Sequence, residues 1–340
     1  MRRTSSLRFP IGKLPVKTLE RLLKQNQIKD RRVIVGPGIG EDAAVIDMGD
    51  RYLVVKTDPV TFAADKIGWY SVHINANDVA VMGGQPQWFL ATLLLPDSGT
   101  DAALVESIFA DMIAACRELG VILCGGHTEI THGLERPIVV GQMLGEVSKQ
   151  NLLRKDSLLP GDRILLAQGV AIEGTAVIAR EKAQELAGKI SEPVLQSARR
   201  LLFDPGISVV RIAQLVAATG LAKAMHDPTE GGLLAGLLEL AVAARLGIRI
   251  FADPVVVFPE TQQICARFGL DPLALLASGA LLIGTTADGA EPVRNALQVQ
   301  GIPAAVVAEL RPSAEGYWIE RGGEVRELQF PERDELAKLF

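Results

Sequence analysis

The stretch Ile67–Met82, IGWYSVHINANDVAVM, has the apolar spacing of a helix and stops at Gly83-Gly84. Ile, Val and Ala residues surround Asn77-Asp78 in its second half, so the helix is expected to lie inside the protein. A buried acid needs partners. Whatever this chain folds into must therefore bring partners to Asp78.

The segments around that helix alternate strands with helices. GPGIGEDAAVIDMGDRYLVVKTDP reads as a glycine loop and a hairpin, with strands at Ala43–Ile46 and Tyr52–Lys56 and MGD as the turn. Trp88–Leu95 reads as a buried strand. Asp101 opens an amphipathic helix that runs to Leu119 and stops at Gly120. Val121–Cys124 and Ile138–Val147 are strands around a polar loop, GGHTEITHGLER. Pro160-Gly161-Asp162 is a turn that launches a strand at Arg163–Gln168 and marks a domain boundary. Helices are expected at 174–187, 209–219 and 231–246, and strands at 248–251, 280–283, 304–308 and 317–320. The expected organisation is a lead-in with one short helix over residues 1–35, domains at 36–148 and 160–311, and a charged tail at 312–340 that ends in a helix.

Acids recur beside glycine turns and strand ends. Glu41-Asp42 follow Gly36, Gly38 and Gly40; Asp58 closes the strand in KTDP; Asp227 sits in HDPTEGGL just before a helix. Carboxylates are the hard oxygen ligands that Mg²⁺ takes, with phosphate supplying others. Glycine loops let backbone N–H groups face a polyphosphate, and helix N-termini add partial positive charge. A magnesium–nucleotide site is the chemical reading, although GPGIGED is neither a Walker A loop nor a GxGxxG fingerprint. Turn or N-cap roles are the plainer alternative for each isolated Asp.

Composition narrows the partners. Thirty-five basic against 40 acidic residues leave a formal charge of −5, so the basic excess of a nucleic-acid binder is missing. The basic start, MRRTSSLRFPIGKLP, lacks the apolar run of a secretory signal, and the most apolar windows carry Gly, Ser and Thr and read as core rather than membrane spans. Three scattered cysteines with no CxxC argue against a disulfide framework or a structural zinc site. The expectation is a cytoplasmic protein with no membrane and no nucleic acid.

GIGEDAAVI, KTDP, HINANDVAVMGGQP, CGGHTEIT, GQMLGEV and DPTEGGL, in that order, resemble the PurM-type ATP-binding superfamily. That superfamily includes aminoimidazole ribonucleotide (AIR) synthetase, thiamine-monophosphate kinase, selenophosphate synthetase and the hydrogenase maturation factor HypE. DPTEGGL places the resemblance on the HypE-like, AIR synthase-related side. It implies an α/β (α+β) two-domain fold whose N-terminal sheet pairs with a second subunit into a dimeric barrel, followed by a C-terminal α/β sandwich domain. It also implies a homodimer that uses ATP and Mg²⁺ to activate an amide or carbonyl oxygen of a small-molecule or protein-borne substrate. Kinase transfer, or a nucleotide-binding scaffold in hydrogenase maturation, are the alternatives. By the matching motifs, Asp42, Asp58, Asp78 and Asp227 would hold metal, with Asp42, Asp78 and Asp227 catalytic. Gly36, Gly38, Gly40 and Glu41 would form the phosphate loop; Lys56, Asn77, His127, Thr128 and Glu129 would complete the nucleotide site.

Two departures stand out. His127 occupies the place of an acid in GGET or GGDT relatives, so either Glu129 supplies that carboxylate or the metal set differs. The chain ends ERDELAKLF and has no cysteine after Cys265, whereas HypE proteins carry a terminal cysteine. Cys116, Cys124, His73 and His132 read as packing or loop residues, and His226 is a candidate to orient Asp227.

Overall fold

In the computed structural model, residues 9, 12–26, 28–61, 65–331 and 333–340 are described. Most of the basic start, MRRTSSLRFPIGKLP, lies outside them. A short helix, α1 (Val16–Leu23), precedes two mixed sheets.

The first sheet has the order β1 (Val33–Val35), β2 (Ala44–Asp47), β3 (Arg51–Val60), β6 (Ile138–Ser148), β4 (Gln85–Pro96) and β5 (Ile122–Thr131). Helices α2 (Ile67–Val81) and α3 (Ala102–Leu119) cover it. The α3 ends follow local chemistry: the Asp101 side chain accepts from the Leu104 N–H at 2.9 Å, and Gly120 closes the helix in the left-handed conformation. α2 is buried on all sides except at Ile74, because it is wedged between this sheet and the second half of the chain. Gly141 on β6 makes that approach possible, since a Cβ there would stand 2.3 Å from Nδ2 of Asn75.

The second sheet has the order β13 (Glu324–Glu327), β12 (Tyr317–Arg321), β9 (Gly247–Phe251), β11 (Ala304–Arg311), β7 (Arg163–Ala167), β10 (Leu281–Thr285) and β8 (Ala222–His226). Both faces of its centre are covered. Ile164 and Leu166 on β7 share a core with Leu233, Leu237 and Leu240 of α8 (Gly232–Ala244). Leu165 and Ala167 turn to the opposite core, which contains residues of α4 (Ile172–Glu181), α6 (Glu192–Arg200), α7 (Val210–Ala218), α9 (Pro259–Phe268) and α10 (Ala290–Val299). α5 (Ala183–Leu186) is one turn between α4 and α6. Burial on both sides makes these strands continuously apolar rather than alternating.

Glu192–Ala218 is long and apolar enough for a membrane span by length and composition. It is broken at Asp204, whose backbone is extended (φ −143°, ψ 108°), and α7 buries Val210, Ile212, Ala213 and Val216. These residues form core.

Two expectations are corrected. The polar stretch GGHTEIT is not a loop: it continues β5 in parallel register with β4, with Thr92, Leu93 and Leu94 opposite His127, Thr128 and Glu129. Its polarity comes from its place at the sheet edge. The terminal helix is only a 3₁₀ turn, Glu335–Lys338. β1, β8, β13, α6 and α10 lie outside the expected elements.

Candidate functional site

The acids converge where the two sheets meet. Lys56 and Asp58, two residues apart on β3, share a face, and Lys56 Nζ lies 3.5 Å from Asp58 Oδ2 and 3.2 Å from Oδ1 of Asp78 on α2. Asp227 follows β8, and Asp42 precedes β2. Asp42, His226 and Asp227 bring potential ligand atoms within 4.8 Å of one another.

Their electrostatics differ. Burial pushes Asp78 up to about 7; Lys56 opposes this, and the charges of Asp42 and Asp58 add to it. Burial, then Asp78 and Asp42, hold Asp227 well above the carboxylate range, and among the described residues neither of its oxygens has a hydrogen-bond partner. Burial disfavours the Lys56 ammonium, but Asp78 and Asp58 outweigh it and raise its pKa. At Asp42 burial also opposes the charged form, but His226 and Lys155 overcome it and hold the carboxyl far below its usual value. Two buried oxygens on Asp227 without a donor are what a divalent cation satisfies, so the residues present fit Mg²⁺.

The glycine loop links β1 to β2. Gly40 is left-handed (φ 76°) and lies against α8, where a Cβ would stand 2.3 Å from the Glu239 carbonyl oxygen. Gly36 and Gly38 precede it, and Glu41 is half-buried with its carboxyl raised by that burial.

Other residues fall elsewhere. Asn77 makes its contacts away from the acids: its Nδ2 donates to the Ile207 carbonyl and its Oδ1 accepts from the Val209 N–H, both at 2.8 Å. One helical step turns it about 100° away from Asp78, towards the segment leading into α7. His127, Thr128 and Glu129 are exposed on β5, and His127 Nε2 lies 3.6 Å from Glu129 Oε2. They make none of the hydrogen bonds of the Asp42 group. His226 pairs with Asp42, at 2.6 Å, rather than with its neighbour Asp227.

Three buried groups escaped the sequence reading. Lys155 lies in a 3₁₀ turn, Lys155–Ser157, yet its side chain is only 2% exposed and contacts Asp42 Oδ2 at 2.6 Å. Glu239 on α8 faces His226 Nε2 at 3.3 Å; burial opposes its ionisation, but His226 and Lys13 bring it down to about 2. Glu173, in the first turn of α4, has a buried Oε2 without a partner, and burial pushes it up to about 7. A polar turn carries no sign of burial; the lone Glu239 within the apolar run GLLAGLLELAVAA is the nearest signal.

Residues 40–147 match the family described as AIR synthase related protein, N-terminal domain, and residues 160–319 its C-terminal domain. The chain is 28% identical over 288 residues to a putative hydrogenase expression/formation protein of Methanocaldococcus jannaschii, covering 81% of this chain and 82% of that one. It is 30% identical over 283 residues to the carbamoyl dehydratase HypE of Bradyrhizobium diazoefficiens, covering 79% and 78%. A crystal structure of the hydrogenase maturation protein HypE in complex with ATP superposes with a TM-score of 0.69 at 25% identity, over 87% of this chain and 92% of that one. The fold is accordingly PurM-like, with two mixed α/β halves. The chain belongs to the AIR synthase related, PurM-type family, on the side of it that holds the HypE proteins.

Proposed function

We propose that this chain binds Mg–ATP where its two sheets meet and uses the γ-phosphoryl group to activate an amide or carbonyl oxygen of a small-molecule or protein-borne substrate. The observation that carries the reading is Asp227: a fully buried carboxylate with two unpartnered oxygens, close to Asp42 and electrostatically coupled to Asp78. Relatives named carbamoyl dehydratase and the ATP complex of HypE support the class of reaction.

Asp227, Asp78 and Asp58 would hold the metal, which when bound offsets phosphate charge and polarises the transferring group. Lys56 supplies a fixed ammonium beside the same carboxylates, placed to meet a phosphate oxygen. The N–H groups of the Gly36–Gly40 loop and the start of α8 offer neutral donors to the remaining oxygens. The protein's contribution is position and charge, because phosphorylation of the substrate oxygen itself turns it into a leaving group.

We further propose a homodimer built on β5, with the cytoplasm as its compartment. β5 leaves a ten-residue edge unpaired, with Ile122 and Ile130 each 60% exposed. Beside it lies a groove of about 260 Å³ lined by Leu93, Phe109, Met112, Leu123 and the Gly125–Thr128 backbone. Three free cysteines suit a reducing compartment.

Calorimetry with ATP, with and without Mg²⁺, tests the site. The wild type is expected to bind ATP in a Mg²⁺-dependent way, and Asp227→Asn to lose at least about tenfold in affinity. Equal binding by the folded variant would overturn the reading. Release of ADP and phosphate with a substrate marks oxygen activation; phosphate retained on a small molecule marks the kinase variant.

A further inference from the structure

Position and sequence both recommend Asp42 as a metal ligand. It follows the glycine loop, and Asp42, His226 and Asp227 form a compact group. The contacts around it argue otherwise. Oδ1 of Asp42 receives Nδ1 of His226 at 2.6 Å, and Oδ2 receives Nζ of Lys155 at 2.6 Å. Nε2 of His226 faces Glu239 Oε2 at 3.3 Å, and Lys13 Nζ reaches Glu239 Oε1 at 3.1 Å. Nδ1 of His226 also lies 3.3 Å from Lys155 Nζ, so Lys155, His226 and Asp42 form one buried polar cluster. Lys155 also donates to the Gly40 carbonyl.

The charges therefore divide unequally. Asp42 and Glu239 meet His226, Lys155 and Lys13, so this corner is already neutralised by protein cations. Among the described residues, Asp58 and Asp78 contact one cation, Lys56, and Asp227 has no hydrogen-bond donor. A metal binding at Asp42 would have to displace an ammonium that is 2% exposed and leave it buried without its anion. A metal among the other three carboxylates meets only Lys56, whose side chain is 18% exposed and is not left buried.

Resting on the Mg–ATP reading above, we propose that Lys155 is a tethered cation filling the Asp42 corner of the acidic cluster, which leaves the divalent metal to Asp58, Asp78 and Asp227. Lys155 is a positioning residue. By holding Asp42 and the Gly40 carbonyl together, it fixes the end of the glycine loop beside the metal without contacting substrate.

Mn²⁺ titration of the full chain without nucleotide, followed by calorimetry and by the spin signal of free Mn²⁺, tests this. The double variant Asp42→Asn/Lys155→Gln removes the pair without stranding a buried charge. It is expected to keep the wild-type Mn²⁺ affinity within about twofold, while Asp227→Asn loses about tenfold or more. Lys155→Gln alone frees the Asp42 carboxylate and is expected to bind one more Mn²⁺ than the wild type. A tenfold loss in the folded double variant, or an unchanged ion count in Lys155→Gln, overturns the assignment of Lys155 while leaving the Mg–ATP reading standing. A wild type that binds Mn²⁺ neither alone nor with ATP overturns both.

Discussion

Asn77 and Asp78 are adjacent on α2, fully or nearly fully buried, and face different tasks. Asn77 holds the Ile207 carbonyl and the Val209 N–H, joining the two halves of the chain. Asp78 turns to Lys56 and the acidic cluster. Residue type cannot separate these roles, because a buried amide and a buried acid both need polar partners. Glu173 shows the same limit from the other side. It falls just before the helix expected at 174–187, yet it is 5% exposed, and burial raises its carboxyl to about 7 from an ordinary 4.5. The folded state binds this proton more tightly than the unfolded chain. The associated stability is thus complete below about pH 4.5 and is lost as pH rises through about 7. Glu173→Gln removes that loss. Thermal melts at about pH 8 should show the variant more stable by up to on the order of 3 kcal/mol, with no gain at about pH 4. A variant no more stable at the higher pH would show that Glu173 is not held as a buried acid.

At the scale of elements, helices were the most legible part. The Asp101 cap, the Gly120 stop and the Gly83-Gly84 end of α2 lie where local backbone chemistry places them. β5 was half legible, because strand patterning assumes one buried and one solvent face and an edge strand with nearly every side chain exposed has neither. The glycines of GQMLGEV gain their meaning only from packing. Gly145 sits against the Gln85 carbonyl oxygen, where a Cβ would stand 2.3 Å away, and Gly141 admits Asn75 of α2. Gly141→Ala must push α2 off β6 or rotate Asn75 from its contacts with the Ser71 and Asp58 carbonyls. A loss of about 1–3 kcal/mol in urea unfolding is expected, typical of overpacking. Because α2 carries Asp78, Mn²⁺ affinity should fall with it; full stability and unchanged affinity would mean that the approach is looser than the distances imply.

For the whole molecule, the question is what covers the β5 edge. If a second copy pairs there, Ile130→Lys places a charge in the interface and should convert a dimer to a monomer in analytical ultracentrifugation. An unchanged sedimentation coefficient, with the wild type dimeric, would move the interface elsewhere. By itself, the sequence determined the alternation of strands and helices, the burial of α2, and the set of acids and glycines from which a magnesium–nucleotide site can be made, since periodicity, capping and ligand chemistry are local properties. Tertiary structure alone decided which of those acids face one another, that Lys155 from a polar turn and His226 from a strand end neutralise Asp42, and that Asp227 is left with two bare oxygens. Charge pairing depends on distances of a few ångströms between residues more than a hundred positions apart, as Lys155 and Asp42 are, and no local pattern records that distance.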